Sequence, residues 1–191
     1  GSEMCIRDRY NVKATFFVTN GKPDYQNLIA QEAQRGHTVA IHSASHDYAK
    51  IYQSVDAYFA DFDEMNSIIT AQTGKAADLV RFPGGSSNTI SKKYCYGIMS
   101  QLVCAVEERG FRYCDWNVSS GDAGGTTSTS QVVANVIEGI KSNNVSVVLQ
   151  HDIKNFSVDA VEQIIQWGLS EGYTFLPMTS TTPMSHHGVN N

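Results

Sequence analysis

The stretch TVAIHSASHDY, residues 38–48, combines a short β-branched run with two histidines four positions apart. The run at 38–42 is typical of a buried strand that ends at His42, and His46 follows after the small residues Ser43, Ala44 and Ser45. H-x-x-x-H alone does not separate a metal site from two surface histidines on a turn. If the chain turns helically after the strand, both imidazoles face one way and can share a cation. Ser43 stands where an H-E-x-x-H zinc protease has its glutamate, so that class is excluded.

Working outward, short strand-like runs alternate with longer amphipathic stretches, which is the pattern of a parallel α/β sheet. The predicted strands are 13–19, 38–42, 79–83, 112–117, 145–151 and 173–177. The predicted helices are 25–35, 55–73, 91–109, 131–142 and 158–171, four of them followed by glycine. The sequence predicts a single α/β domain and favours a barrel.

Composition excludes several classes of protein. The 191 residues are 41% hydrophobic, which suits one domain with a substantial core. A net charge of −5 without a basic stripe argues against nucleic acid as a partner. No apolar run approaches the ~20 residues of a membrane span, and the N-terminus of this chain does not read as a signal peptide. The four cysteines lack zinc-knuckle or disulfide-scaffold spacing, which favours free thiols.

Titratable residues gather where the predicted strands end, at the edge where parallel α/β folds bind ligands. Arg81 in RFPGGSSN is either a surface residue at a strand end or a clamp for a carboxylate. His151 in LQHD is either a satisfied rim residue or a proton donor, and a carboxylate such as Asp115 would favour its protonated form. Trp116 is interpreted as core or groove wall.

Taken together and in order, five segments resemble the NodB-type polysaccharide deacetylases of carbohydrate esterase family 4. They are KATFFVTN, HSASH (the H-[ST]-x-x-H motif), RFPGG (R-x-P), DWN (the fourth motif) and VVLQHD (L-x-H). The resemblance spans about residues 10–178, leaving 179–191 as a polar tail. It implies a distorted (β/α) barrel and removal of N-acetyl groups from peptidoglycan or chitin, or of O-acetyl groups from xylan.

The resemblance also implies roles for individual residues. His42 and His46 would bind a divalent metal, with zinc expected first and cobalt, nickel or manganese as alternatives. His151 would be the general acid, tuned by Asp115, while Arg81 would orient the catalytic base. The substrate-binding residues are expected to be Trp116, Leu149, Pro83 and Gly84. Trp116 and Leu149 would surround the acetyl methyl group, and a backbone N–H near Gly84 would donate to the oxyanion.

The sequence departs from the family pattern in three places. The T-F-D-D-G motif, which carries the catalytic base and the third metal ligand, is absent, and no Asp-Asp pair occurs in the 191 residues. We therefore expect a chain that lacks its first strand-helix unit and is impaired, with residues 1–9 a cloning remnant or foreign segment. EMCIRDR within that segment can be back-translated into a sequencing adapter. Gly84 replaces the aromatic residue that usually follows R-x-P, which lowers one wall of the groove.

These departures keep further alternatives open. An O-acetyl xylan esterase of the same family, or a non-catalytic carbohydrate-binding pseudoenzyme, remains possible on the sequence. An exposed flank of the 13–19 strand would also favour a homodimer or a swapped dimer. The substrate implies that the parent protein is extracellular or associated with the cell wall.

Overall fold

A computed structural model describes residues 2–191 and divides the chain into two compact units. The first, here called the four-stranded unit, comprises residues 14–115 and 177–191. The second, here called the two-stranded unit, comprises residues 2–13 and 116–176. Residue 1, part of the segment expected to be foreign, lies outside the described residues.

The four-stranded unit is built on a parallel sheet in the order β1-β2-β3-β4. Its elements are β1 (Thr15–Thr19), α2 (Asn27–Gln34), β2 (Thr38–Ser43), α3 (Tyr48–Ile51), α4 (Val55–Thr73), β3 (Leu79–Val80), α5 (Ile98–Glu108) and β4 (Arg112–Tyr113). Short 3₁₀ turns at Pro23–Tyr25 and Ser91–Lys93 precede α2 and α5. The predicted α/β class is confirmed, and the sheets of residues 2–191 do not close into a complete barrel.

Helix α4 supplies much of the core of this unit. Ser54 caps its first turn by accepting a hydrogen bond from the Ala57 amide at 3.0 Å, and Gly74 ends it in the left-handed conformation. The apolar side chains of α4 pack with those of the sheet and of α5. Core members with almost no exposed surface include Ile41, Phe62, Met65, Val80, Phe82 and Leu102. This packing fixes the end of β2, which carries His42 and leads to His46.

The two-stranded unit contains α1 (Ser2–Arg9), β5 (Val118–Ser119), α6 (Thr129–Lys141), β6 (Val148–Leu149) and α7 (Asn155–Ser170). β5 and β6 pair in parallel. Helices α6 and α7 share an apolar cluster of Val132, Val136, Ile140, Ala160 and Ile164. α6 lies against β5 at Gly139, where a side chain would collide with Val118.

Two predicted strands differ from the structure. The 112–117 segment is not one strand, because β4 ends at Tyr113 and β5 begins at Val118 in a different sheet. The 173–177 segment forms no strand. Its apolar pattern instead serves side-chain packing, since Phe175 lies against Gly168 of α7 and joins the cluster of Val12 and Ile165.

Helix boundaries shift for identifiable reasons. α5 begins only at Ile98 because Gly97 adopts a left-handed φ of 79°, so the predicted 91–109 helix is shortened. Residues 2–9 form a helix in which Met4 is buried. The tail after residue 178 has neither helix nor strand. It is nevertheless held down, since Asn191 accepts from the Gly97 amide at 2.6 Å. None of the helices in residues 2–191 has the length and apolar character of a membrane span.

Candidate active site

His42 and His46 are brought together at the end of β2. Their ring centroids lie 4.9 Å apart with planes tilted by 51°. The His42 Nδ1 is 2.6 Å from the carbonyl oxygen of Arg81. Because a carbonyl only accepts, Nδ1 donates, and the Nε2 lone pair remains the ligating position of His42. His46 adopts a left-handed φ of 52°, which is uncommon for a residue with a side chain.

The buried carboxylate of Asp61, on α4, lies under the loop between the two histidines. Its Oδ2 accepts from Ser43 Oγ at 2.5 Å and the Ala44 amide at 2.8 Å, and its Oδ1 accepts from the Ser45 amide at 2.8 Å and Ser45 Oγ at 2.6 Å. Burial raises the pKa of Asp61, but the hydrogen bonds from Ser43 and Ser45 outweigh it and hold the pKa below its ordinary value.

Sequence reasoning did not single out Asp61, although a signal exists. With Tyr58 and Met65 it forms an i, i+3, i+7 series, so helical periodicity places this carboxylate on the buried face of α4. A charge on an apolar stripe is expected to have specific partners.

Arg81 is buried and follows β3. Its Nε donates to the Cys114 carbonyl oxygen at 3.0 Å, and its Nη2 donates to the Asp115 carbonyl oxygen at 2.9 Å. The guanidinium carbon lies 4.2 Å from the ring centroid of Phe17 on β1. Arg81, which follows β3, therefore links the residues after β4 with the middle of β1.

Pro83 and Gly84 form the turn after Arg81. The Tyr52 hydroxyl donates to the Pro83 carbonyl oxygen at 2.7 Å, which links this turn to the segment after His46. Gly84 has a φ of 80°, and a Cβ there would lie 3.2 Å from the Tyr48 hydroxyl oxygen and 3.0 Å from the Asn88 Cβ. Tyr48 thus packs over Gly84, which stands where the family usually has an aromatic residue. Its ring also contacts the His46 ring edge-on, with the ring centroids 5.5 Å apart.

The carboxylate of Asp115 is fully buried in the four-stranded unit. It accepts from the Ser86 amide at 2.8 Å, from Ser86 Oγ at 2.5 Å and from the His187 amide at 2.9 Å. Asp115 therefore fastens the turn after Gly84 and the tail at His187.

The carboxylate beside His151 is that of Asp122, so the prediction that paired His151 with Asp115 is wrong in its residue. Asp122 is 1% exposed. It accepts from His151 Nδ1 at 2.7 Å, from the His151 amide at 2.7 Å and from Ser157 Oγ at 2.6 Å. Burial raises the pKa of Asp122, but the hydrogen bonds from His151 and Ser157 outweigh it and hold the pKa well below its ordinary value.

The reason for this mistaken pairing is local. Asp115 precedes β5 and belongs to the four-stranded unit, whereas Asp122 follows β5 and belongs with His151, which follows β6, in the two-stranded unit. Because β5 and β6 are parallel and paired, the residues after them meet at one edge. The position of Asp122 just after a strand was the available signal. Within the same unit Leu149 pairs with Ser119, and Trp116 lies two residues before β5 and is partly exposed.

The residues fit a divalent cation only in part. The two imidazoles are close enough for two positions of a zinc shell, which in catalytic sites usually has three protein ligands and water. Residues 2–191 contain no group of three or more His, Cys, Asp or Glu residues arranged to hold a metal. The pair is therefore an incomplete metal site by its donor set.

Comparisons with known proteins agree with the geometry. Residues 6–96 match the model of the family described as polysaccharide deacetylase. The structure is similar to the catalytic domain of a peptidoglycan N-acetylglucosamine deacetylase from Eubacterium rectale, with a TM-score of 0.98 and 69% identity, covering 99% of this chain and 86% of that one. A polysaccharide deacetylase structure from Bacillus cereus has a TM-score of 0.80 and 29% identity, covering 98% of this chain and 88% of that one.

A curated relative, a peptidoglycan-N-acetylglucosamine deacetylase of Bacillus cereus, is 30% identical over 173 residues, or 87% of this chain. The chain spans 60% of the length of that relative. Because the relative from Eubacterium rectale is 69% identical and is covered over 86% of its length, this chain belongs to the polysaccharide deacetylase family.

Proposed function

We propose that this domain is a metal-dependent hydrolase that removes N-acetyl groups from N-acetylglucosamine in cell-wall polysaccharide. Relatives named as peptidoglycan N-acetylglucosamine deacetylases support that substrate class. The observation that carries the proposal is the His151–Asp122 pair, an imidazole held by a buried carboxylate beside the short parallel strands. That arrangement suits proton donation to a departing amine.

The chemistry of His151 follows from its hydrogen bonds. An ionised Asp122 accepts the Nδ1 proton, so Nε2 is the atom that takes up and delivers a proton. The His151 side chain is 35% exposed, which leaves it accessible to a bound glycan. An amine leaves poorly unless it is protonated, and general acid catalysis commonly contributes ~10²–10⁴ in rate.

The remaining residues serve binding and orientation. A divalent cation, with zinc first and cobalt, nickel or manganese as alternatives, would be held by His42 and His46 and would supply Lewis-acid polarisation of the amide carbonyl. Arg81 and Asp115 hold the segment on either side of the turn at Pro83 and Gly84, and Tyr52 bonds to Pro83. Pro83 is buried and Gly84 is exposed, so Gly84 is the part of the turn whose backbone suits contact with the substrate. Trp116 and Leu149 are proposed to line the pocket for the acetyl methyl.

We further propose that this chain is catalytically impaired. The 191 residues contain no Asp-Asp pair to supply a base and a third ligand, and the two histidines make only part of a metal shell.

Acetate release from an acetylated chitooligosaccharide, measured with added zinc or cobalt, tests both proposals. We expect turnover at least about 100-fold below that of the Eubacterium rectale domain, because a positioned base commonly contributes ~10²–10⁴. Turnover equal to that domain would contradict impairment. A fusion that supplies a T-F-D-D-G strand-helix unit is expected to restore release, with His151→Ala as its inactive control. A folded fusion without deacetylation would contradict the proposed function.

A second candidate is a carbohydrate-binding protein without catalysis, favoured by the incomplete donor set. Glycan binding that persists in the restored fusion without hydrolysis would support it. Esterase action on O-acetyl xylan is the enzymatic alternative, and parallel assays on both substrates separate the two. Faster acetate release from acetyl xylan than from the chitooligosaccharide would favour the esterase.

We also propose that the parent protein acts outside the cell or at the cell wall, where its substrate lies, and that this chain forms a homodimer. β1 ends the order of the four-stranded sheet, and a terminal strand offers backbone groups for pairing with a second copy. Light scattering over a range of concentrations is expected to show a dimer, and a monomer at high concentration would contradict this.

A further inference from the structure

The carboxylate of Asp61 accepts hydrogen bonds from each of the three residues between His42 and His46, namely Ser43, Ala44 and Ser45. It is 3% exposed. It touches neither imidazole in these bonds, so its influence acts through the backbone of the loop.

Each carboxylate oxygen of Asp61 has one backbone donor and one hydroxyl donor. Oδ2 receives the Ala44 amide and Ser43 Oγ, and Oδ1 receives the Ser45 amide and Ser45 Oγ. A carboxylate is the one side-chain group that accepts on both atoms with no donor of its own. An asparagine would turn an NH₂ group toward one of the two backbone N–H groups and lose that bond.

The same network reaches His46. Ser43 Oγ donates to Asp61 and accepts from the His46 amide at 2.9 Å. His46 then stands at a φ of 52°, a conformation that a non-glycine residue keeps only when its surroundings compensate for the strain. This turn brings the His46 ring back to within 4.9 Å of the His42 ring, centroid to centroid.

We propose that Asp61 is a positioning residue that fixes the loop from Ser43 to Ser45 and thereby places His46 beside His42 for a shared divalent cation. This proposal rests on the proposed function in one respect, which is that His42 and His46 are metal ligands. The position of the loop itself is independent of it.

The test uses the full chain and two readouts. Amide hydrogen exchange, resolved by residue, reports the loop, and calorimetric titration with Ni²⁺ reports the paired imidazoles, with a His42→Ala/His46→Ala double variant defining the background. In Asp61→Asn we expect the Ala44 and Ser45 amides to lose protection while the amides of α4 keep theirs. We expect Ni²⁺ affinity at this site to fall about tenfold or more, as for other groups that orient ligands.

Two further variants keep the result interpretable. Asp63→Asn makes the same chemical change two residues along α4, where the carboxylate is exposed and pairs with Arg109, and it is expected to leave both readouts unchanged. Ser45→Ala removes the hydroxyl of an exposed residue, which donates to Asp61 at 2.6 Å and accepts from the Asp47 amide at 3.3 Å. Because the Asp61 carboxylate stays in place, we expect this variant to fold even if Asp61→Asn does not, and to show a smaller change in the same direction.

Wild-type protection of Ala44 and Ser45 in a folded Asp61→Asn, or in Ser45→Ala if Asp61→Asn does not fold, would overturn the proposal. So would a fall in Ni²⁺ affinity as large in Asp63→Asn as in Asp61→Asn. If the wild type shows no Ni²⁺ binding above the background variant, the assignment of the histidines as ligands fails, and the amide exchange alone decides whether Asp61 fixes the loop.

Discussion

Each unit contains a buried carboxylate that is hydrogen-bonded either to a histidine or to the loop that leads to one, and the two carboxylates differ in what they hold. Asp61 in the four-stranded unit bonds to backbone amides and serine hydroxyls of the loop that leads to His46. Asp122 in the two-stranded unit bonds directly to the imidazole of His151. Hydrogen bonds hold the pKa of both below the ordinary value despite burial.

The difference matches the chemistry proposed for each histidine. A metal ligand needs a fixed direction and a defined tautomer. The Asp61-bonded loop sets the position of His46, and the Arg81 carbonyl sets the tautomer of His42. A proton donor needs a defined tautomer and a nearby negative charge, which only direct contact with Asp122 provides. In the four-stranded unit the carboxylate bonds to the backbone that leads to His46, and in the two-stranded unit it bonds to the imidazole ring of His151 itself.

Replacing Asp122 with asparagine is expected to have the largest effect on stability. The side chain of asparagine has one acceptor oxygen where Asp122 has two. It cannot accept from the His151 backbone N–H, His151 Nδ1 and the Ser157 hydroxyl together, so a buried donor loses its partner. We expect a loss of about 2–3 kcal/mol in the free energy of unfolding, measured by urea denaturation. Asp159→Asn, on an exposed position of α7, is the control and should change little. Equal losses in the two variants would show that Asp122 is not a structural anchor for His151.

The same variant changes the dependence of stability on pH. The pKa of Asp122 is lower in the folded protein than in the unfolded chain, where it is about 3.9. Its stabilisation is therefore complete above that value and is lost as the pH falls toward the folded pKa, with a slope of at most about 1.4 kcal/mol per pH unit for one proton. Between about pH 4 and pH 2 the wild type should lose stability more steeply than Asp122→Asn. Parallel curves would contradict the direction of the shift.

The sequence predicted what depends on local pattern. The run at 38–42, which ends at His42, forms a strand, and a turned loop then brings the His46 ring near the His42 ring. Strand propensity and the short spacing of the two histidines determine both features. α4 was predicted at residues 55–73 because the helical pattern there is followed by Gly74, which ends the helix in the structure. The α/β class followed from the alternation of such elements.

The partners of the buried carboxylates could not be read from spacing. Asp115 and Asp122 both lie near β5, and only strand pairing decides that the residue after β5 meets the residue after β6. Asp61 is 15 residues beyond His46 in sequence, so its contact with the loop depends on how α4 packs against β2. The 173–177 segment has strand-like composition, but Phe175 packs on α7.

A smaller and matched test compares one serine in each unit. Ser43 and Ser157 are both buried, and each hydroxyl donates to a carboxylate, of Asp61 at 2.5 Å and of Asp122 at 2.6 Å. Alanine at 157 removes that one bond, and the better helix propensity of alanine in α7 offsets part of the loss, so we expect about 0.5–1 kcal/mol. Alanine at 43 also leaves the His46 amide without its acceptor, so we expect about 2 kcal/mol.

Urea unfolding of the two serine variants measures this difference, and it bears directly on the contrast between the units. If positioning of the backbone is what Asp61 and Ser43 provide, the greater loss belongs to Ser43→Ala, because that variant removes a link to His46 as well as one to the carboxylate. An equal or reversed order would mean that the His46 amide finds another acceptor. The left-handed turn would then be stable without the Ser43–Asp61 network, and the two carboxylates would differ less than their contacts indicate.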